Sequence, residues 1–272
     1  MTLYNDRQQM NTEILDEMDK EKVVEVQSLY AAFGDTVVLS DVSFTAHKGE
    51  VCVILGGSGS GKTTVLKHLL SLYPVKRGLV KVLGKDVSRL REVEQVELYL
   101  QMGVFYQSGA LINSLTVAEN VALPLAQHSD LPDDLIDEIV MMKLSLVNLS
   151  HAFHLYPSQL SGGMLKRAAL ARAIVMNPPL LFCDEPGAGL DPVSLESLDS
   201  LILNLKEKMG MSIILVTHEV SSILRVADRI VFLDNGVVAF EGPLAEAIRS
   251  EQPAVREFFS VLKNEHMRQL VS

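Results

Sequence analysis

Cysteine is scarce in this chain: Cys52 and Cys183 are the two in 272 residues. Each sits inside an apolar run, VCVIL and LLFCDE, where a small hydrophobe packs well. That placement argues against a structural disulfide and for a reducing compartment. Also missing is any run of about 18 uncharged apolar residues, the length needed to cross a membrane. The first twenty residues are polar and acidic, without the apolar core of a secretory signal. A soluble, cytoplasmic chain is therefore expected. Basic charge is in deficit, with 24 Lys and Arg against 34 Asp and Glu and a formal net charge of −10. Such a surface opposes binding to nucleic acid or anionic lipid as a whole. No internal repeat and no low-complexity tract breaks the chain.

What is present is enough apolar residue, 48%, to bury one sizeable core, alone or with a small subdomain. Short β-rich segments alternate with helical periods, which predicts a largely parallel sheet covered by helices. Residues 1–21 read as an exposed, mobile extension. Residues 23–48 carry the pattern of an antiparallel flank. Residues 50–55 read as a buried strand and 63–72 as the helix after it. From about 110 to 176 the pattern turns helical, clearest at 133–149, with Pro124, Pro132 and Pro157 marking breaks. Strands are expected again at 179–183, 212–216 and 229–233, with a helical segment at 194–208. The tail from Pro253 reads as a short amphipathic helix. The division expected is thus an extension at 1–21, a main domain at 22–252 that holds a helical subdomain at about 110–176, and a helical tail at 253–272.

Three motifs carry chemistry. Gly56, Gly57, Ser58, Gly59, Ser60, Gly61, Lys62 and Thr63, followed by Thr64, fit G-x-x-x-x-G-K-[ST] between an expected strand and helix. Glycines let successive amides curl around a phosphate, and the helix points its positive end at the same place. Lys62 can reach the β- and γ-phosphates, and the Thr63 hydroxyl suits a Mg²⁺ ion. The bland alternative is a plain glycine-rich turn. Leu180 to Glu185 (LLFCDE) is an apolar strand ending in two carboxylates: Asp184 to hold Mg²⁺ through water, Glu185 to orient and polarise an attacking water. Alone, the pair could equally cap a helix. Leu160-Ser161-Gly162-Gly163-Met164 opens a further helix, so Ser161 and the amides of Gly162 and Gly163 make a second anion site. One nucleotide does not need two phosphate cradles from one chain.

The order of these motifs, with Gln107 between the first two and Gly189-Leu190-Asp191-Pro192 and His218 after them, resembles the ABC transporter ATPases. The resemblance implies an α/β fold: a P-loop NTPase core of mainly parallel sheet, an antiparallel β flank and an inserted helical subdomain. It also implies ATP and Mg²⁺ as ligands and a homodimer in which the signature at Ser161, Gly162 and Gly163 closes over ATP held by the partner copy. By the same resemblance Gln107 is the Q-loop glutamine that contacts Mg²⁺ or the lytic water, and His218 the switch histidine. Asp191 is the D-loop carboxylate, and Phe33 or the nearby Tyr30 the aromatic that stacks on adenine. Outside the family context a lone Gln reads as a loop residue, a His after a strand as structural, and an early aromatic as core.

Met164 stands where many members have Gln. Together with Tyr106 to Leu111, Asn120 to Leu125, His128, Leu131-Pro132 and Val140 to Leu144, it resembles the ATPases of Mla/Mce lipid-trafficking systems. The segment Gly187 to Pro192 is nearer the general family form. This implies a peripheral subunit on the cytoplasmic face of the inner membrane that drives lipid transport through a separate permease. A periplasmic Mce protein and a small STAS-domain protein are the further partners implied, and no nucleic acid. The rival readings are the ATPase of an amino-acid, metal or drug transporter, or a non-transport ABC ATPase. The latter is expected to carry a coiled-coil insertion, a second nucleotide domain or a basic surface.

Overall fold

A computed structural model describes residues 21–260. Ten strands form one sheet: β1 (Lys22–Phe33), β2 (Thr36–His47), β3 (Val51–Gly56), β4 (Arg77–Val82), β5 (Lys85–Asp86), β6 (Met102–Phe105), β7 (Leu180–Asp184), β8 (Ser212–Val216), β9 (Arg229–Asp234) and β10 (Val237–Pro243). Their order across the sheet is β5-β4-β1-β2-β10-β9-β3-β8-β7-β6. The run β9-β3-β8-β7-β6 is parallel. The other wing, β5-β4-β1-β2, is antiparallel and joins at a parallel bridge of Val237 with Asp41.

Parallel strands are covered on both faces, so they read as unbroken apolar runs. Every residue of β3 and β8 is buried. Because side chains alternate across a strand, Val51, Val53 and Leu55 enter one core while Cys52 and Ile54 enter another on the opposite face. The first core is closed by α3 (Val117–His128), α4 (Asp133–Leu146), α5 (Gly162–Ala173) and α6 (Pro192–Met209). The second is closed by α1 (Lys62–Leu69) and α2 (Glu92–Tyr99) with the antiparallel wing. Two short helices, α7 (Val220–Val226) and α8 (Leu244–Ala247), complete the described elements, and residues 253–260 are helical.

Most expected elements are present, with corrections. The first helix ends at Leu69 rather than 72, and α4 ends at Leu146 rather than 149. Pro124 does not break a helix; it lies inside α3. The cost of a missing amide bond is met by burial on both sides of it, through Val117, Ala118, Val121 and Leu125. A capping box of Thr116 and Glu119 also holds the helix start. Pro132 and Pro157 do stand at breaks, as the residue before α4 and the first residue of a 3-10 turn. Segment 110–176 contains helices and 3-10 turns and no strand. Residues 1–20 of the expected extension and 261–272 of the expected tail lie outside the described residues. Among the described residues no helix is long and apolar enough to cross a membrane.

Candidate functional site

The parallel strands deliver the motif residues to one edge. Ile54 on β3 pairs with Val216 on β8, Val216 with Asp184 on β7, and Cys183 with Phe105 on β6. The chain therefore leaves the sheet side by side as the Gly56–Thr64 loop, Thr217-His218, Glu185 and Tyr106-Gln107. Ligands of open parallel sheets bind beyond such strand ends.

The glycine loop has the shape its sequence requires. Gly56 has φ 148°, and a Cβ there would lie 2.0 Å from the Leu233 carbonyl oxygen. Gly61, the residue before α1, has φ 103°, with the Leu39 side chain 2.4 Å from the place of a Cβ. Gly57 to Gly59 are exposed, and no acidic residue sits in the first turn of α1 to oppose an anion. Lys62 folds over the loop, its Nζ donating to the carbonyls of Gly56 at 2.8 Å and Gly57 at 2.9 Å. Burial lowers the Lys62 ammonium from the ordinary lysine value, while Glu185 nearby works the other way. Gly56→Ala is expected to destabilise the fold by about 3 kcal/mol, roughly 6–12 °C in Tm. Gly57→Ala, whose added carbon meets nothing within 4 Å, should leave Tm nearly unchanged; thermal melting of the two variants checks both.

Glu185 occupies the left-handed region at φ 47°, a strained position for a residue with a side chain. Its amide donates to the Val216 carbonyl at 2.8 Å, which pins the turn to β8. Its Oε1 lies 2.8 Å from His218 Nδ1, and its Oε2 is buried without a hydrogen-bond partner. The carboxylate thus has one lone-pair face oriented by the imidazole and one left open. Burial raises the Asp184 carboxyl, Glu185 adds to this, and Lys67 opposes it. A dication fits such a place: two adjacent carboxylates, one of them with an orphaned oxygen. Asp184 also lines a 610 Å³ cleft with Tyr106, Gln107, Ser108, Ala188 and Gly189.

Ser161 caps α5, its Oγ accepting from the Met164 amide at 3.3 Å, and Ser161 and Gly162 are exposed. Asp191 caps α6 by accepting from the amides of Val193 at 3.1 Å and Ser194 at 3.0 Å. These bonds, the Ser194 side chain first, hold its carboxyl below the usual range. The Phe33 ring is 49% exposed at the end of β1, edge-on to Tyr73 at 5.3 Å. Tyr30 differs: the Arg77 guanidinium lies 5.5 Å over its ring.

Sequence reasoning missed the groups that hold the Gln107 loop. Lys166 of α5 donates to the Gln107 carbonyl, and Arg172 donates to the carbonyls of Ala110 and Gly109, both at 2.8 Å. From the other side, buried Asn120 accepts from the Ile112 amide at 2.7 Å and donates to the Ile112, Leu115 and Thr116 carbonyls. The only signal was three basic side chains, Lys166, Arg167 and Arg172, on an otherwise alanine-rich helix.

A family model for the ABC transporter matches residues 39–188. The chain belongs to the ABC transporter family. It is 39% identical over 238 residues to the intermembrane phospholipid transport system ATP-binding protein MlaF of Haemophilus influenzae, covering 88% of this chain and 90% of that one. It is 38% identical to the probable ribonucleotide transport ATP-binding protein mkl of Mycobacterium tuberculosis, covering 87% of this chain and 66% of that longer protein. A solved dimeric ATP-binding cassette in a post-hydrolysis state, bound to ADP and Pi, superposes with a TM-score of 0.74 at 29% identity. It covers 81% of this chain and 98% of the cassette. As an ABC transporter ATP-binding subunit, the chain binds nucleotide and is an ATPase.

Proposed function

We propose that this ABC subunit energises the movement of phospholipid between membranes through a separate integral permease, working as a homodimer with ATP sandwiched at each of two composite sites. The observation that carries the ATPase part is the Glu185–His218 pair at 2.8 Å, beside a glycine loop that accepts no Cβ at Gly56. In each site Gly56 to Gly61 supply amides to the phosphates, Lys62 supplies charge, and Thr64 supports the loop at the start of α1. Phe33 rather than Tyr30 stacks on adenine, because its ring is exposed while Tyr30 is covered by Arg77. Thr63, Asp184 and Gln107 would hold a magnesium ion, which there offsets phosphate charge. His218 orients Glu185, and Glu185 accepts a proton from the attacking water as its oxygen bonds the γ-phosphorus and the bond from that phosphorus to the bridging oxygen breaks, releasing ADP and phosphate. Ser161, Gly162 and Gly163 serve the partner's nucleotide, as the exposure of Ser161 and Gly162 at a helix start supports, and Asp191 communicates across the dimer.

Segment 110–176 is the helical subdomain that faces the permease, within a main domain spanning 22–252. The extension and tail flank that domain. The lipid substrate is carried over from MlaF, whose whole length this chain nearly matches; the mycobacterial relative's name points to ribonucleotide instead. A peripheral position on the cytoplasmic face of the inner membrane, a periplasmic Mce-domain protein and a small STAS-domain protein belong to the same reading. Mild-detergent isolation of the tagged full chain from its native membrane, with identification of bound proteins and lipids, tests it. A permease with an Mce-domain protein and phospholipid is expected. Recovery of a solute-binding protein for a nucleotide, amino acid or metal instead would overturn the lipid assignment and leave the ATPase intact.

A further inference from the structure

His218 is exposed, and Glu185 is the side chain bonded to its ring. An exposed imidazole with one partner is aimed by its backbone, and that backbone runs from β8 directly into α7, which starts two residues later at Val220. Helix α7 has seven residues, and its buried face is Ser222, Ile223 and Val226. Too short to be stable alone, it needs an outside anchor. Ile223 and Val226 enter the same apolar core as α6, and the polar anchor beside them is Asp199, the one charged residue on the buried face of α6. Its side chain is 2% exposed; Oδ1 accepts from Ser222 Oγ at 2.6 Å, and Oδ2 accepts from Arg225 Nε at 2.8 Å and lies 2.7 Å from Nη2. Both carboxylate oxygens are thus satisfied from α7 alone. The same α6 is capped by Asp191 and tied to the signature helix by Arg167 Nη2 donating to Ser197 Oγ at 2.8 Å. Gly187 is wedged between Leu195 of α6 and the start of α7: a Cβ there would meet Leu195 at 2.4 Å and the Glu219 side chain at 4.0 Å.

We propose that Asp199, with Ser222 and Arg225, is a positioning residue for hydrolysis: it clamps α7 to the D-loop helix α6 and thereby sets the placement of the His218 imidazole on Glu185. The inference rests on the reading of Glu185 and His218 as the hydrolytic pair, and it adds a group that touches neither ATP nor water. Misplacing a reacting group by about 1 Å can cost on the order of a hundredfold in rate, so loosening the clamp should show in turnover and not in binding.

Asp199→Asn keeps the side-chain shape and removes the charge that Arg225 meets. The test is single-turnover hydrolysis with the full chain in saturating excess over ATP and with Mg²⁺ present, with ATP affinity measured separately, in the native background and in His218→Ala. In the native background the rate should fall about tenfold or more with affinity within about twofold. In the His218→Ala background the further loss should be under about twofold, because the group being positioned is gone. Should Asp199→Asn not fold, Ser222→Ala and Arg225→Lys leave the carboxylate partly paired and carry the same readout with smaller losses. An unchanged rate, or an equal loss in both backgrounds, overturns the clamp while the hydrolytic pair stands. If His218→Ala alone leaves the rate unaltered, the pair itself is wrong and the clamp falls with it.

Discussion

Glu185→Gln is expected to bind ATP about as tightly as the native chain and to hydrolyse it roughly a hundred- to ten-thousandfold more slowly, the usual loss of a general base. The geometry separates the two effects. Glu185 sits past the end of β7, with one oxygen on His218 and the other buried and unpartnered. In the proposed site the glycine loop and Lys62 hold the phosphates, and these belong to β3, α1 and the turn between them rather than to β7. Glutamine has the same length and can take the same left-handed backbone position, so the turn anchored on the Val216 carbonyl persists. What it cannot do is accept the proton of an attacking water. If dimer opening follows hydrolysis, the variant accumulates as an ATP-bound dimer. Size-exclusion chromatography with and without ATP, beside a phosphate-release assay, reads both results.

Lys62→Ala is expected to lose roughly two to three orders of magnitude in ATP affinity, the scale for removing one partner of a desolvated charge pair. The loss should fall short of the gross strength of such contacts. The ammonium has partners within the loop, the Gly56 and Gly57 carbonyls, and a phosphate competes with them. The same bonds predict a second effect: without them the loop carbonyls turn to solvent, so Tm should change only slightly. Isothermal titration with a slowly hydrolysed ATP analogue measures the first, thermal melting the second. Affinity within threefold of the native value would mean that the phosphates lie elsewhere.

The parts of the fold that were legible in the sequence were local in origin. Strands β3, β7 and β8 are apolar on both faces, so composition alone marks them. The glycine loop announces itself because its backbone path excludes side chains at Gly56 and Gly61. Elements that escaped notice are half-exposed: β10 has one buried residue, Gly242, and α2 has Leu98 alone, so neither shows a clear period. Pro124 was misread because local propensity was outweighed by tertiary burial of α3. Within the site, the glycine loop, Asp184-Glu185 and the Ser161 cap could be expected from local pattern, and Gln107, His218, Asp191 and Phe33 only from the family resemblance. The groups that hold them could not, since Lys166 meets a carbonyl 59 residues away and Arg225 a carboxylate 26 residues away. Long-range polar partners leave no periodic trace, and a buried charged residue on a helix reads the same as a solvated one until its neighbour is known.

The central claim is that one copy's Ser161 faces the nucleotide held by the other copy's glycine loop. Its most direct test is cross-linking of Ser161→Cys chains with Ser58→Cys chains in the Glu185→Gln background, using a short bifunctional maleimide. Cys52 and Cys183 stay silent, because both are buried and burial pushes their thiols well up. The account predicts an inter-chain product that forms with ATP and is nearly absent without it. No such product, with the ATP-bound chain still dimeric, would contradict it.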